Sequence, residues 1–392
     1  MRNPQTELHE LAQDDLLRQL RILSLTGSPT LVKCEGRRLI NFSSNDYLGL
    51  SRHPSLQRAG TKALEQFGTG ATASRLVCGT MEIHRCLEEQ IAQLKQTEEA
   101  LVFSNGYSTA LGTLTALLGP GDTVILDKLS HASLIDGARL SGATIRVFPH
   151  NNLNRLEAIL QSVRRKSDAK ARVLVVTESV FSMDGDRCPL RELVELKNRY
   201  GALLLLDEAH ALGVLGPSGL GLVEELGLQA EVELQMGTLG KAAGAAGGYL
   251  AGSKAFIELL VNKARSFIYS TAPPPAQIAA AAAALKLITS ETGRDLRDRL
   301  ASHRNKLSAL LRESSWEIPP SGTPIIPLIM GDNERTLNAS NTLQGDGFLV
   351  PAIRYPTVPR GTARLRLTLS AAHEERQIEH LADALKSLDK KD

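Results

Sequence analysis

Several absences narrow this sequence before any motif is read. Its four cysteines, Cys34, Cys78, Cys86 and Cys188, form no C-x-x-C pair. Neither a zinc ribbon nor a dithiol redox centre is signalled, and no metal site is expected. Scattered thiols of this kind suit a reducing cytosol. No run of about 18 apolar residues exists to span a membrane. The first eight residues, MRNPQTEL, lack the apolar core of a signal peptide. A cytoplasmic location is therefore expected. An excess of one charge is missing too: 45 basic and 43 acidic side chains leave a net +2. That balance argues against nucleic acid or a membrane surface as partner. No internal repeat is present.

What remains is an ordinary globular composition, 42% hydrophobic and 22% charged over 392 residues, long enough for two or three domains. Strand-like and helix-like segments alternate through the first two thirds. Ala100–Phe103, Thr123–Leu126, Thr144–Phe148, Val173–Val176 and Leu203–Leu206 read as strands, with helices between them. This pattern predicts an α/β fold with a mostly parallel sheet flanked by helices. After the alanine run 279–284, a smaller α+β domain is expected, with strands at Ile325–Met330, Phe348–Ile353 and Ala363–Leu369. Ile378, Leu381, Leu385 and Leu388 mark its closing helix. The expected division is an N-terminal helix-and-strand segment over 1–50, a large domain over 51–284 and a small domain over 285–392. Leu8, Leu11, Ala12, Leu16 and Leu20 predict an amphipathic helix at the start.

In such sheets ligands bind beyond the carboxyl ends of the strands. His131, Glu178, Ser182, Asp207 and His210 all fall at such ends. A single polar residue there is an ordinary turn former; several from different strands are harder to explain that way. Lys241 follows in the small-residue stretch Met236–Tyr249. Walker spacing fails, because only two residues separate Gly237 from Gly240 and Ala242 follows the lysine. A surface lysine in a flexible loop is one reading. The other is a desolvated amine freed for Schiff-base chemistry.

Asp207 and Lys241 together point to pyridoxal 5′-phosphate (PLP). A carboxylate buried at a strand end needs a cation, and a pyridinium nitrogen is one. The protonated ring is an electron sink for a carbanion on an attached amino acid. Lys241 would carry the ring and then accept a proton. His131 is flat enough to stack on the ring, and His210 is placed for its hydroxyl. Thr238 and the N–H groups at Gly106 and Tyr107, where a helix opens, would hold the phosphate. One arginine of Arg364 and Arg366 would clamp a substrate carboxylate, though either also reads as a solvated strand charge.

The chain resembles the α-oxoamine synthases, fold-type I PLP-dependent transferases that condense an amino acid with an acyl thioester and lose carbon dioxide. The likeness rests on Asn41–Gly49, Ala73–Arg75 with Gly79 and His84, Ser130–Ser133, Thr177–Gly185, Asp207–His210, Gly240-Lys241, Tyr269–Thr271 and Arg364–Arg366. Closer likeness within the family lies in Ala352–Pro359 and Gly361–Thr368, and it implies L-alanine and a pimeloyl thioester as substrates. The resemblance implies catalytic roles for Lys241, His131 and Asp207. Around the cofactor it implies Gly106, Tyr107, His131, Glu178, Ser182, Asp207, His210, Thr238, Ser270 and Thr271. For substrate it implies Arg21, Asn45, His131, Arg354, Thr357 and Arg366. It further implies a homodimer in which Ser270 or Thr271 reaches the neighbouring subunit's phosphate. The stretch Ala242–Gly247 is richer in alanine than the matching segment of many relatives. Sister enzymes such as 2-amino-3-ketobutyrate CoA ligase share the motifs. An aminotransferase of the same fold and a cofactor-binding regulator are the other classes. The regulator would be expected to carry a basic arm or an added domain, and the sequence shows neither.

Overall fold

The computed structural model describes residues 3–166, 168 and 170–389. The chain divides into two compact units. The larger holds residues 50–182 and 186–297, and the smaller holds 1–49, 183–185 and 298–392.

Seven strands build the sheet of the larger unit: β1 (Glu99–Phe103), β2 (Thr123–Asp127), β3 (Thr144–Phe148), β4 (Val173–Glu178), β5 (Leu203–Asp207), β6 (Leu234–Thr238) and β7 (Gly248–Gly252). Their order is β1-β7-β6-β5-β4-β2-β3. Only β7 runs antiparallel to its neighbours. The other pairings are parallel. Apolar runs such as Val124–Leu126, Leu174–Val176 and Leu204–Leu206 are buried along their whole length, as expected of strands covered on both faces. Helix α1 (Gly106–Leu117) and helix α2 (Ala132–Ser141) follow β1 and β2. Leu114, Leu117, Leu134 and Ala138 join β2, β4 and β6 in one apolar core. Each of these leucines contributes about 1.5–3 kcal/mol on full burial. The result is a rigid platform whose parallel strands present their carboxyl ends at one edge.

The smaller unit has two sheets. Leu23–Leu25, Leu31–Cys34 and Arg37–Asn41 pair antiparallel, and Phe348–Leu349 joins the last of them in parallel. Ala363–Thr368 lies between Ile325–Gly331 and Ala352–Ile353. The helix Glu375–Asp389 buries Ile378, Leu381, Leu385 and Leu388, as its spacing predicts.

Two expectations need correction. The first helix spans only Pro4–Gln13 and buries none of its residues. It stops because Asp15 adopts a left-handed conformation, with φ 54°. Leu16 and Leu20 therefore lie beyond it. The expected strand over 348–353 is two short strands in different sheets. Pro351 lies between them and has no N–H to give a ladder.

Candidate active site

The candidate residues of the larger unit gather where its parallel strands end. Glu178 is the last residue of β4, Asp207 of β5 and Thr238 of β6. Glu178 and Asp207 are paired in register on adjacent strands. Both are buried, at 2% and 6% exposure. Burial raises the Glu178 pKa well above the ordinary carboxylate value, with Asp207 adding to the rise and Lys241 opposing it. Burial also raises that of Asp207, while Lys241, the Ala209 N–H and His131 pull it back. The edge of the sheet thus holds two desolvated acids whose pKa values stay raised, with Lys241 opposing the rise in both.

Lys241 lies three residues beyond β6, with its Nζ 2.7 Å from Nε2 of His210. His210 is buried in the turn after β5. The backbone around the lysine is fixed by close packing. Ala242 and Ala243 are 2% and 0% exposed. Gly244 has φ +61°, and a Cβ there would lie 2.4 Å from the Ser51 nitrogen. The alanine-rich stretch is small because the protein's own backbone lies against it. Gly237 is constrained in the same way, since a Cβ there would meet the buried Tyr249 ring at 2.4 Å.

His131 caps helix α2, and its Nδ1 lies 2.7 Å from the Ser133 hydroxyl. Its backbone N–H donates to Glu178 Oε1 at 2.5 Å. Partial burial lowers the imidazole pKa, with Asp207 acting against the shift. A neutral ring suits stacking better than a charged one. At the other end of the sheet edge, Asn105 caps helix α1 by accepting the Ser108 N–H at 2.8 Å. Gly106 and Tyr107 occupy its first turn, whose N–H groups lie outside the helical ladder. The Tyr107 hydroxyl donates to Asp136 at 2.5 Å. Gly248 has no room for a side chain, because a Cβ would approach the Gly106 nitrogen to 2.7 Å. A Cβ on Gly106 would lie 3.8 Å from the Thr238 hydroxyl, so these two expected phosphate holders are neighbours. That hydroxyl donates to the Gly247 carbonyl at 3.0 Å and accepts the Gly240 N–H at 3.2 Å.

Ser182 is half-buried in the loop after β4. Thr271 is exposed and forms an isolated bridge with Ser74, while Ser270 is half-buried. The Thr271 carbonyl accepts the Ser104 hydroxyl at 3.5 Å.

The smaller unit carries the other candidates. Arg364 and Arg366 are both buried on one strand, at 5% exposure. Arg364 is ion-paired with Asp184. Arg366 hydrogen-bonds the Asn45 amide oxygen at 3.2 Å through both terminal nitrogens and the Thr368 hydroxyl at 2.9 Å. The Tyr47 hydroxyl donates to the same Asn45 oxygen at 3.2 Å. Arg21 is exposed and lines a cavity of about 770 Å³ with Arg18, Arg37 and Arg354. Arg354 donates to the Asp15 carbonyl. Arg18 donates to the Thr357 hydroxyl at 3.1 Å. The Arg18–Thr357 contact was not legible in the sequence, since no spacing rule links positions so far apart.

The residues of the larger unit fit PLP. An amine lies beside an imidazole, a buried carboxylate can answer a pyridinium, a second imidazole offers a flat ring, and a helix opens on a glycine. When bound, PLP supplies an electron sink for the bonds at an amino acid's α-carbon.

The comparisons agree with this geometry. The family model for aminotransferase class I and II matches residues 37–385. An 8-amino-7-oxononanoate synthase of Geobacter sulfurreducens is 48% identical over 98% of this chain and 97% of its own. One of Geobacter metallireducens is 46% identical over 95% and 94%. Among solved structures, a Sphingomonas wittichii serine palmitoyltransferase superposes with a TM-score of 0.92 at 32% identity, covering 99% of this chain and 97% of that one. An 8-amino-7-oxononanoate synthase of Francisella tularensis gives 0.75 at 28% identity, covering 90% and 97%. With its sheet edge of paired acids and histidine-backed lysine, the chain belongs to the class I and II aminotransferase family, in its 8-amino-7-oxononanoate synthase branch.

Proposed function

We infer that this chain is a PLP-dependent acyltransferase of biotin biosynthesis. It condenses L-alanine with a pimeloyl thioester to give 8-amino-7-oxononanoate, carbon dioxide and free thiol. One observation carries the chemistry: the Lys241 amine sits 2.7 Å from His210 at the edge where Asp207 and Glu178 end adjacent strands. Identities of 43–48% to curated synthases carry the substrate assignment. In this reading Asp207 holds the ring nitrogen protonated, and His131 covers the ring face. Ser182 and His210 contact the cofactor, with Glu178 positioning the His131 backbone. Gly106, Tyr107 and Thr238 hold its phosphate. Lys241 anchors the ring and moves the α-proton. Arg366 takes the alanine carboxylate, with Asn45 setting its guanidinium. Arg21, Arg354 and Thr357 receive the acyl donor. The location in this reading is the cytoplasm.

Turnover of alanine, glycine and serine against pimeloyl, acetyl and palmitoyl thioesters tests the assignment. Alanine with pimeloyl thioester is expected to give the highest kcat/KM. If glycine with acetyl-CoA is faster, the ligase reading takes its place. Arg366→Lys keeps the charge but loses the planar fork. It is expected to raise the KM for alanine about tenfold, the scale of one charge-assisted hydrogen bond. An unchanged KM removes Arg366 from the carboxylate site.

The same reading makes the protein a homodimer with shared active sites. Its support is an apolar surface around Thr271, where Leu76, Val77 and Tyr269 are 53%, 78% and 71% exposed. Exposed apolar side chains grouped in this way mark association surfaces. Ser270 or Thr271 would then reach the partner's phosphate. Mixing a Lys241→Ala chain with a chain altered at both Ser270 and Thr271 gathers both defects into one site of a mixed dimer. Partial recovery of activity is expected after subunit exchange. No recovery, or an active monomer, overturns the shared site.

A further inference from the structure

His150 belongs to none of the motifs above, yet its ring is held at both nitrogens. Nδ1 lies 3.0 Å from Asp127 Oδ1, and Nε2 lies 2.7 Å from Asp186 Oδ2. A carboxylate oxygen only accepts, so two such partners call for two N–H donors on one imidazole. Asp186 Oδ1 is buried with no hydrogen-bond partner among the described residues. Its carboxylate is therefore answered through Oδ2, which also takes the Asn151 amide at 3.0 Å. The edge of the ring meets Phe181, with centroids 4.3 Å apart. The charged groups acting on the ring are Asp127 from β2 and Asp186 from the loop after β4. Arg187, next in that loop, turns its guanidinium to Glu225 at 2.7 Å.

These contacts tie together three strand ends. Asp127 closes the turn that leads to His131 by accepting the Leu129 N–H at 2.8 Å through its side chain and the Ser130 N–H at 3.1 Å through its carbonyl. Asp186 closes the loop that carries Ser182, because its carbonyl accepts the Phe181 N–H at 3.0 Å. The Asn151 N–H donates to the second oxygen of Asp127 at 2.9 Å.

We propose that His150 is a positioning residue for the active site, an imidazolium pinned between Asp127 and Asp186 that sets the His131 turn against the Ser182 loop. Burial opposes the charge, but hydrogen bonds and charges from the two aspartates raise the ring's pKa from 6.5 to about 10. The ring therefore stays charged well above neutral pH. The consequence for catalysis rests on the cofactor reading above; the ring's charge does not.

Histidine-selective ¹⁵N spectra of the holoenzyme test the charge directly. Between pH 6 and 9, both His150 nitrogens are expected to keep the imidazolium signature. In Asp186→Asn, where an amide faces Nε2, the ring is expected to titrate inside that window. His150→Gln is expected to lower kcat at least tenfold and weaken the visible circular dichroism of the bound cofactor. The alanine KM should stay within twofold, since Arg366 is untouched. A neutral His150 at pH 8, or a glutamine variant with wild-type kcat and dichroism, overturns the proposal. Should the glutamine variant not fold, the spectra of the wild type and of Asp186→Asn still decide it. Failure of the alanine assignment would show in the substrate panel and leave the nitrogen spectra unchanged.

Discussion

Replacing Lys241 by alanine is expected to lower kcat by at least about a thousandfold, within the range that a positioned proton-transfer group supplies. The chain should still fold, because the turn around Lys241 is held by Ala242, Ala243 and Gly244 rather than by the lysine side chain. It should still bind PLP, because the other expected contacts are untouched. The separating measurement is chemical. Borohydride treatment of the wild type should fix the cofactor to a single peptide containing Lys241, while the alanine variant should release it on denaturation. Recovery of label on another lysine would remove Lys241 from its role. His210 sharpens the expectation, since its Nε2 is 2.7 Å from the amine. That contact fixes where the amine sits at the sheet edge, so the alanine variant loses a placed group.

Asp207→Asn is expected to cost at least about a hundredfold in kcat, the scale seen when one preorganised electrostatic partner is lost. The amide is nearly the same size, so the fold should survive. What it lacks is the charge that keeps a pyridine nitrogen protonated. The environment explains the severity. Glu178, the neighbouring acid in register, has its pKa raised well above the usual carboxylate range, first by burial and then by Asp207 itself. It is a poor substitute for the missing charge. Exchange of the alanine α-proton is the measurement to make, because it isolates the step that needs the electron sink. Near-normal exchange in the variant would contradict the assignment.

The alternation of strands and helices was legible because a sheet covered on both faces requires unbroken apolar segments. Leu203–Leu206 and Val173–Val176 announce themselves that way. Asp207 was legible for the converse reason: a charge at the end of such a run needs a partner. The N-terminal helix misled because Leu16 and Leu20 continue its spacing, while the turn at Asp15 is a backbone event that apolar periodicity does not report. The split of residues 348–353 had a visible signal in Pro351, which the run of apolar residues masked. His150 lay at a strand end like His131, but its meaning depends on Asp127 and Asp186 converging from other strands. The two arginines of Arg364–Arg366 looked equivalent on one strand face. Only the positions of Asp184 and Asn45 distinguish them.

The packing behind Lys241 also sets how this protein can diverge. Gly244 stands against the Leu50–Ser51 backbone with no room for an added methyl group. A side chain at Gly244 would have to displace the main chain at Leu50 and Ser51, so this turn tolerates little enlargement. In the reading proposed above, acyl preference would be tuned on other segments, such as the arginine-lined surface that holds Arg18 and Arg21, where side chains are open to solvent and one substitution need not disturb the next.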